Sequence, residues 1–426
     1  MSIESTLAYI HKVGFFGSRL GLTRVRALLD ALGNPQDTLK FVHVAGTNGK
    51  GSTCAYLASI LQNAGYKTGL YTSPYINVFN ERMRIDGVNI SDEELEKYTD
   101  AVRAVADTMT DDEPTEFETI TAVAMLYFAA HKCDIVVLEV GLGGTYDATN
   151  IIKTPECAVI TSISFDHTGV LGNTLSEIAD AKAGIIKGGD VVCYDTKGEA
   201  YRKIASVCRE RGAVLHKPAF SQLTVHSTDL DGTTFDYGNL KNVRTPLIGT
   251  YQPRNAVTAI EAAKVLAANG WNITDDIIRG GIASTEWLGR FEVLGREPVF
   301  ILDGAHNPSG MSAAADSFKT LFPRRRLVFV TGAMADKDID GMYALITPRA
   351  KHFYTTTPHN PRAMPAKELA KHIEALGVKA TACESFEEAV AAALKEAGKD
   401  GVVAALGSLY FSCDIRNAYH AVKGKH

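Results

Sequence analysis

Hydrophobic positions along the chain follow two alternating patterns, and their alternation predicts an α/β protein with a mainly parallel sheet. Short apolar runs are typical of buried strands, and they occur at 41–45, 68–71, 135–140, 158–163, 299–303, 327–332, 352–355, 378–383 and 401–405. Longer segments with apolar residues every three or four positions predict helices at 24–32, 52–64, 120–131, 255–268 and 275–283. Two capping-box spacings, Ser91–Glu94 and Thr174–Glu177, predict two further helix starts.

Two interruptions of this pattern divide the chain. Residues 220–247 alternate and are rich in turn residues, with Asp231-Gly232 as a hairpin signal, so we expect a small antiparallel insertion there. Residues 284–298 are rich in Gly, Arg and Glu, which indicates a boundary. We predict a larger domain over residues 1–285, a linker over 286–298 and a smaller Rossmann-like α/β domain over 299–426.

Composition narrows the class of protein. A chain of 426 residues exceeds the size of one hydrophobic core, so two or three domains are expected. With 46% hydrophobic and 22% charged residues, no apolar span of membrane length and no signal-like start, we expect a cytoplasmic protein without a membrane partner. The seven cysteines are scattered singly, and a net charge of −5 without a basic block argues against nucleic acid. A monomer is the expected state.

The run from Phe41 to Thr53 joins the first predicted strand to a Gly-rich turn with one lysine, which is typical of a phosphate-binding loop. Its glycines let successive backbone N–H groups close on an anion at a helix N-terminus. Lys50 supplies positive charge for a β/γ-phosphate, and Ser52 or Thr53 supplies a hydroxyl for Mg²⁺. Because Gly51 separates Lys50 from Ser52, the match to Walker A is imperfect, and a purely structural turn is the alternative.

Four polar residues lie at or just past the ends of predicted strands, where ligands of open parallel sheets bind. They are Ser73, Glu139, His167 and Asp303. A carboxylate beside a phosphate loop suits Mg²⁺ in a nucleotide site. Each residue also has a structural interpretation: an ion pair for Glu139, a hydrogen-bonded structural histidine for His167, and a turn residue for Ser73.

Lys182 lies within the helix that starts at Thr174 and has apolar neighbours, so burial would lower the pKa of its ammonium. A neutral amine can react with CO₂, and the resulting carbamate would be an anionic metal ligand. The alternative is a lysine whose ammonium reaches solvent along an apolar surface. From the residues alone, this alternative is the favoured interpretation.

Many separate motifs, spread from about residue 5 to about 416, resemble those of folylpolyglutamate synthase/dihydrofolate synthase, a family of the Mur ligase superfamily. The motifs are Gly46–Ser52, Tyr71–Pro74, Phe79–Arg82, Thr115–Glu118, Glu139–Gly144, Asp147–Asn150, Phe165–Thr168, Lys182–Lys187, Tyr251–Gln252, Arg254–Ala256, Gly289–Glu292 and Asp303–Pro308. The extra Gly51 is itself a feature of that family.

The resemblance implies an ATP-dependent ligase that joins L-glutamate to tetrahydrofolate or folylpolyglutamate, and in bifunctional members to 7,8-dihydropteroate. ATP phosphorylates the acceptor carboxylate, and the amine then displaces phosphate. The implied cofactors are ATP and two Mg²⁺ ions, with a carbamate on Lys182.

Residue roles carry over from the resemblance only at matching positions. It implies ATP contacts at Thr47, Asn48, Gly49, Lys50, Gly51, Ser52, Asn255, Arg290 and Asp303. Metal ligands would be Ser52, Ser73, Glu139 and His167. Catalytic roles fall on Lys50, Glu139, His167 and Lys182. Substrate contacts are implied for Arg82, Thr115, Phe117, Glu118, Asp147 and His306.

Some positions depart from the family pattern. Thr145 stands where many members have arginine, and Ala181 where many have glutamate before the reactive lysine. Tyr251 replaces the commoner histidine, and Leu288 the commoner proline. None of these is an expected metal or phosphate ligand, so the departures concern which pterin is accepted.

Three alternatives follow from the same residues. A peptidoglycan-type Mur ligase is expected to carry a UDP-binding domain before the ATP domain, and only 45 residues precede Gly46. A P-loop switch or small-molecule kinase, or a non-catalytic ATP-binding scaffold, leaves Lys182 and the 303–308 motif unexplained. A monofunctional folylpolyglutamate synthase stays open beside the bifunctional enzyme.

Overall fold

The computed structural model describes residues 2–13, 21–110 and 112–424. The chain divides into two compact units: Met1–Gln222 with Arg254–Thr285, and Leu223–Pro253 with Glu286–His426. The fold class predicted from the sequence, a mainly parallel α/β sheet followed by a smaller α/β domain, is confirmed. The segment predicted as an antiparallel insertion belongs to the second unit, whereas the predicted domain boundaries had placed it in the first.

The first unit is built on an eight-stranded sheet in the order β4-β3-β2-β5-β1-β6-β7-β8. Its strands are β1 Phe41–Ala45, β2 Thr68–Tyr71, β3 Met83–Ile85, β4 Val88–Asn89, β5 Ile135–Glu139, β6 Cys157–Ile160, β7 Asp190–Cys193 and β8 Val214–His216. All pairs are parallel except β2 with β3 and β3 with β4. The carboxyl ends of β1, β2, β5 and β6 therefore meet at one edge of the sheet.

Ten helices accompany this sheet in the described residues. They are α1 Ile3–Val13, α2 Thr23–Ala31, α3 Lys50–Asn63, α4 Asp92–Ala106, α5 Glu116–Ala130, α6 Thr168–Leu171, α7 Leu175–Ala183, α8 Gly198–Glu210, α9 Gln252–Ala268 and α10 Asp275–Ala283. One apolar core joins α2, α4 and α5 to β2 and β5, and another joins α7 and α8 to β6 and β7. The first two residues of α9 belong to the second unit.

Helix starts follow the capping residues. Ser91 and Thr174 accept hydrogen bonds from the amides of Glu94 and Glu177, as their spacing predicts. The start of α5 differs from the prediction, because Thr115 forms a further capping box and the helix begins four residues before the expected Ile120.

The second unit contains a three-stranded antiparallel sheet, β11-β10-β9, and a six-stranded sheet, β12-β13-β17-β14-β15-β16. The strands are β9 Leu223–Asp229, β10 Gly232–Tyr237, β11 Leu240–Thr245, β12 Glu292–Arg296, β13 Val299–Leu302, β14 Leu327–Thr331, β15 Ala350–Thr355, β16 Ala380–Ala382 and β17 Val402–Leu406. Its helices are α11 Pro308–Leu321, α12 Ile339–Ala344, α13 Ala366–Ala375, α14 Phe386–Ala397 and α15 Ser412–Lys423.

The segment predicted as a linker is partly a strand. Within residues 286–298, β12 pairs antiparallel with β13 and forms the edge of the larger sheet. Across the described ranges, none of the helices is long and apolar enough to cross a membrane.

Candidate functional site

The Gly-rich segment from Gly46 to Ser52 joins β1 to α3 and has the geometry of a tight anion loop. Gly49 has φ of 85°, and a Cβ there would lie 2.7 Å from Asn255 Oδ1. A Cβ on Gly46 would overlap Thr161 Oγ1 at 1.7 Å. Both positions therefore require glycine, and the loop lies directly against the start of α9 and the end of β6.

The turn after β6 holds the loop in place. The Thr47 amide donates to Ser162 O at 2.8 Å. The Thr47 hydroxyl donates to Ser164 O at 3.1 Å and accepts from the Ser164 amide at 3.2 Å. Asn48 Nδ2 donates to Ser164 Oγ at 3.4 Å. The first N–H groups of α3 have no carbonyl partner within a helix and are suited to an anion. Thr161, Ser162 and Ser164 were not among the predicted site residues, although their place after a strand beside β1 was a usable signal.

Two lysines converge on one carbonyl of the loop. Lys50 Nζ donates to the carbonyls of Gly46 and Thr47 at 3.2 Å, and Lys182 Nζ donates to Gly46 O at 2.9 Å. The Lys182 side chain is 4% exposed, so the interpretation that its ammonium reaches solvent is wrong. Burial, followed by the nearby charge of Lys50, lowers the pKa of Lys182 to about 7.

The end of α7 that carries Lys182 is packed against the loop after β5. Thr145 donates from its amide and its hydroxyl to Ala181 O at 2.9 and 3.1 Å. Asn150 Nδ2 donates to Thr145 O at 3.1 Å, and a Cβ on Gly144 would lie 2.7 Å from Lys182 O. Thr145 thus helps to hold Lys182 in its buried position.

The structure brings Glu139 and Ser73 together at the ends of β5 and β2. The Ser73 amide donates to Glu139 Oε2 at 3.1 Å, and the carboxylate is buried. Ser52, in the first turn of α3, is also buried. Carboxylate and hydroxyl oxygens are the hard ligands that suit Mg²⁺. No group of three or more His, Cys, Asp or Glu residues suited to a metal exists within residues 2–13, 21–110 and 112–424, so a cation here would also need hydroxyl, phosphate or water oxygens.

His167 follows β6 and, unlike Lys182 and Glu139, is exposed. Its backbone is left-handed, with φ of 50°, and its side chain is 43% exposed. Nε2 lies 3.8 Å from Asp166 Oδ1. Asp166 also interacts electrostatically with Lys182, which places this turn beside the lysine. The histidine is therefore open to a ligand from solvent.

The residues expected to contact a substrate fall in two places. Arg82 is buried over the rings of Tyr75 and Phe79, each centroid 5.3 Å from its guanidinium carbon. Its Nε has no hydrogen-bond partner among the described residues. The Phe117 ring lies against Gly141, where a Cβ would be 2.6 Å from the ring.

Three of the residues expected to contact a substrate make hydrogen bonds within the protein: Thr115, Glu118 and Asp147. Glu118 Oε2 accepts hydrogen bonds from the Thr115 amide at 2.7 Å and from Arg24 Nε at 3.1 Å. Asp147 is buried and accepts from the Leu142 amide at 2.8 Å and from Thr149. Burial raises the pKa of Asp147. Their substrate roles stay predictions, and the hydrogen bonds show them shaping the loops around the site.

In the second unit, Asp303 and Arg290 lie close together. Asp303 accepts hydrogen bonds from the amides of Phe291 and Ala305 at 2.8 and 2.9 Å. Burial raises the pKa of Asp303, and the nearby charge of Arg290 offsets part of that rise. His306 Nδ1 lies 2.7 Å from Gly304 O.

Comparison with known proteins decides the family. The Mur ligase middle domain matches residues 44–263, and the Mur ligase glutamate ligase domain matches residues 289–409. A dihydrofolate synthase/folylpolyglutamate synthase of Bacillus subtilis is 38% identical over 97% of this chain and 98% of its own length. The chain belongs to the folylpolyglutamate synthase/dihydrofolate synthase family of Mur ligases. The predicted resemblance and the prediction of a ligase are confirmed.

Solved structures of this family share the whole fold. Escherichia coli FolC in complex with DHPP and ADP has a TM-score of 0.88 and 31% identity, covering 100% of this chain and 98% of that one. Mycobacterium tuberculosis folylpolyglutamate synthase complexed with ADP has a TM-score of 0.89 and 30% identity, covering 98% of each chain. The family members thus bind an adenine nucleotide, in agreement with the predicted use of ATP.

Proposed function

We propose that this protein uses ATP to join the amino group of L-glutamate to a carboxylate of a folate, with release of ADP and phosphate. The observation that carries the proposal is the convergence of Lys50 and the buried Lys182 on the carbonyl of Gly46, beside a loop suited to a triphosphate. Family membership supplies the substrate class, because relatives bear the names folylpolyglutamate synthase and dihydrofolate synthase.

The reaction has two steps. An oxygen of the folate carboxylate attacks the γ-phosphorus of ATP, and the bond to ADP breaks. The glutamate amine then attacks the acyl carbon and loses a proton, and phosphate leaves with the oxygen that came from the carboxylate. The loop amides and Lys50 would hold the phosphates in line and balance their negative charge. Asn255, packed against Gly49, would keep the loop in this shape.

The donor set fits Mg²⁺. Ser73, Glu139 and Ser52 would hold one ion, and His167 with a carbamylated Lys182 would hold a second. Bound Mg²⁺ neutralises the phosphate charge that develops during transfer. The buried amine of Lys182, with its pKa near 7, supports the carbamate, because its neutral form is accessible at physiological pH.

The folate would lie beside Arg82. The Arg82 guanidinium is buried beside the rings of Tyr75 and Phe79 and has an Nε without a partner in the described chain, which suits a carboxylate or the edge of a pterin. Phe117 would line the same region, with Thr115, Glu118 and Asp147 supporting its walls. In the second unit, Arg290 and Asp303 would contact ATP, and His306 would contact substrate.

Both a bifunctional and a monofunctional enzyme are compatible with this site. Relatives carry both names, and the Escherichia coli structure contains DHPP as well as ADP, which favours acceptance of a pteroate-type acceptor. Thr145 stands where many family members have arginine, and its hydroxyl donates to Ala181 O, so the pterin that this chain accepts is left to the following assay. Cytoplasmic location and a monomeric state stay predictions.

The test is release of ADP with L-glutamate and either tetrahydrofolate or 7,8-dihydropteroate. We expect ADP release to require both glutamate and an acceptor. Activity with both acceptors would establish a bifunctional enzyme, and activity with tetrahydrofolate alone a monofunctional one. Equal ATP turnover without glutamate would overturn the ligase proposal.

A further inference from the structure

Tyr251 precedes α9 and directs its hydroxyl at Asp303, within the second unit. Its Oη donates to Asp303 Oδ2 at 3.3 Å. The same oxygen accepts the Phe291 amide at 2.8 Å, and Oδ1 accepts the Ala305 amide at 2.9 Å. The carboxylate therefore joins three separate segments of this unit: the turn before α9, the turn before β12 and the loop after β13.

The turn around Tyr251 holds the direction of its ring. Gly249 has φ of 123°, and a Cβ there would lie 2.8 Å from the ring of Tyr251. The Gln252 amide closes the turn by donating to Gly249 O at 3.0 Å. Thr250 donates from its amide to Ser317 Oγ on α11 at 3.0 Å. The hydroxyl is thus presented to Asp303 by a turn that is attached to the helix following the Asp303 loop.

Tyr251 differs in kind from the other two donors. Phe291 and Ala305 donate from the backbone, so substituting their side chains leaves those hydrogen bonds in place. Asp303 is buried, and each donor to a buried carboxylate stabilises its charged form and limits its rotation. Of these three donors, the Tyr251 hydroxyl is therefore the one whose effect on the orientation of this carboxylate can be removed by a side-chain substitution.

We propose that Tyr251 is a positioning residue for the nucleotide: its hydroxyl orients the Asp303 carboxylate that accepts a hydrogen bond from ATP. This inference rests on the proposed role of Asp303 in ATP binding. Tyr251 itself need not touch the nucleotide. A residue that acts in this way affects nucleotide affinity and leaves the chemical step unchanged.

The test compares Tyr251→Phe with Tyr354→Phe in the full-length protein. Tyr354 Oη donates to Glu396 Oε2 at 2.8 Å in the same unit, so the control removes an equivalent hydroxyl from a carboxylate that has no proposed role. For Tyr251→Phe we expect KM for ATP to rise about three- to tenfold, with kcat within about twofold and KM for glutamate unchanged. The control should leave all three constants at wild-type values.

A double-mutant cycle with Asp303→Asn shows whether Tyr251 acts through Asp303, with ADP binding measured by calorimetry independently of turnover. We expect the double variant to bind ADP no more weakly than Asp303→Asn alone. Wild-type ADP affinity in Asp303→Asn would overturn the proposed role of Asp303. If Asp303→Asn weakens ADP binding but Tyr251→Phe leaves it unchanged, only this inference is overturned. If Asp303→Asn does not fold, the comparison of Tyr251→Phe with Tyr354→Phe decides the inference by itself.

Discussion

Lys182 is a buried lysine beside the phosphate loop. Because the residue is 4% exposed and Lys50 is nearby, the charged form is disfavoured, and the pKa of Lys182 falls to about 7. The neutral amine can attack CO₂, forming an N–C bond and releasing a proton to solvent. The proposed carbamate would be an anion, which would reverse the sign of the charge beside the loop and suit a bound cation.

The first prediction concerns Lys182→Ala. We expect kcat to fall more than about 100-fold, because a metal-positioning anion is lost, while affinity for ADP changes less than about threefold. Steady-state kinetics and calorimetry measure the two effects. Lys153→Ala is the matched control, since that lysine is 77% exposed and pairs with Asp37 at the surface. Turnover near the wild-type value in Lys182→Ala would exclude the role.

At the scale of residues, the sequence predicted neighbours at strand ends better than distant side-chain partners. Glu139 and Ser73 meet as expected from parallel strand ends, whereas the burial of Lys182 agrees with only one of the two interpretations of its sequence. The pairing of Glu118 with Arg24 joins residues 94 positions apart, and no local pattern predicts it. Such partners depend on which helices share a face of the sheet.

Among the elements, α3 offers a controlled comparison, because a glycine with nearly the same backbone conformation stands at each end. Gly49 has φ of 85° and Gly65 has φ of 86°. A Cβ on Gly49 would meet Asn255, whereas a Cβ on Gly65 would enter open space. Backbone strain is thus similar at the two positions, and only one of them bears on the loop.

The second prediction is that Gly65→Ala costs about 1 kcal/mol of stability and Gly49→Ala costs more, while only Gly49→Ala weakens nucleotide binding, by more than about tenfold. The reason is that the new methyl group must displace Asn255 or the loop. Thermal unfolding and ADP titration measure the two effects. Equal ADP affinity in both variants would mean that the contact with Asn255 is unimportant.

The elements themselves were largely predictable. The strands before and after the phosphate loop are short and mainly apolar, and β2 spans the predicted residues 68–71. The sequence missed β12, because its edge position leaves Glu292–Arg296 only partly buried and without a continuous apolar run. It also missed the early start of α5, where the capping pair Thr115 and Glu118 precedes the apolar stretch used to place the helix.

At the scale of the whole molecule, the central strand β1 carries a buried histidine that links stability to pH. His43 is fully buried, and its Nε2 lies 2.9 Å from Thr149 Oγ1. Burial, with a smaller contribution from Lys187, lowers the pKa of His43 to about 3. An unfolded chain binds this proton near pH 6.5, so stability is lost as pH falls from about 6.5 towards 3.

The third prediction follows from this linkage. Between pH 7 and 5 the wild-type protein should lose about 2 kcal/mol that His43→Gln does not lose, so its Tm should fall about 5 °C further. Calorimetry across this range measures the difference. His359→Gln is the control, because that histidine is 78% exposed. Parallel Tm curves for wild type and His43→Gln would show that His43 takes up its proton in the folded state.

The most direct test of the account follows one oxygen atom. A folate acceptor with both oxygens of the reacting carboxylate labelled with ¹⁸O is incubated with ATP, Mg²⁺ and L-glutamate, and the released phosphate is analysed by mass spectrometry. Because the carboxylate attacks the γ-phosphorus and phosphate leaves from the acyl carbon, each phosphate should carry one ¹⁸O, and its formation should require glutamate. Unlabelled phosphate formed alongside the amide product would contradict the acyl-phosphate route.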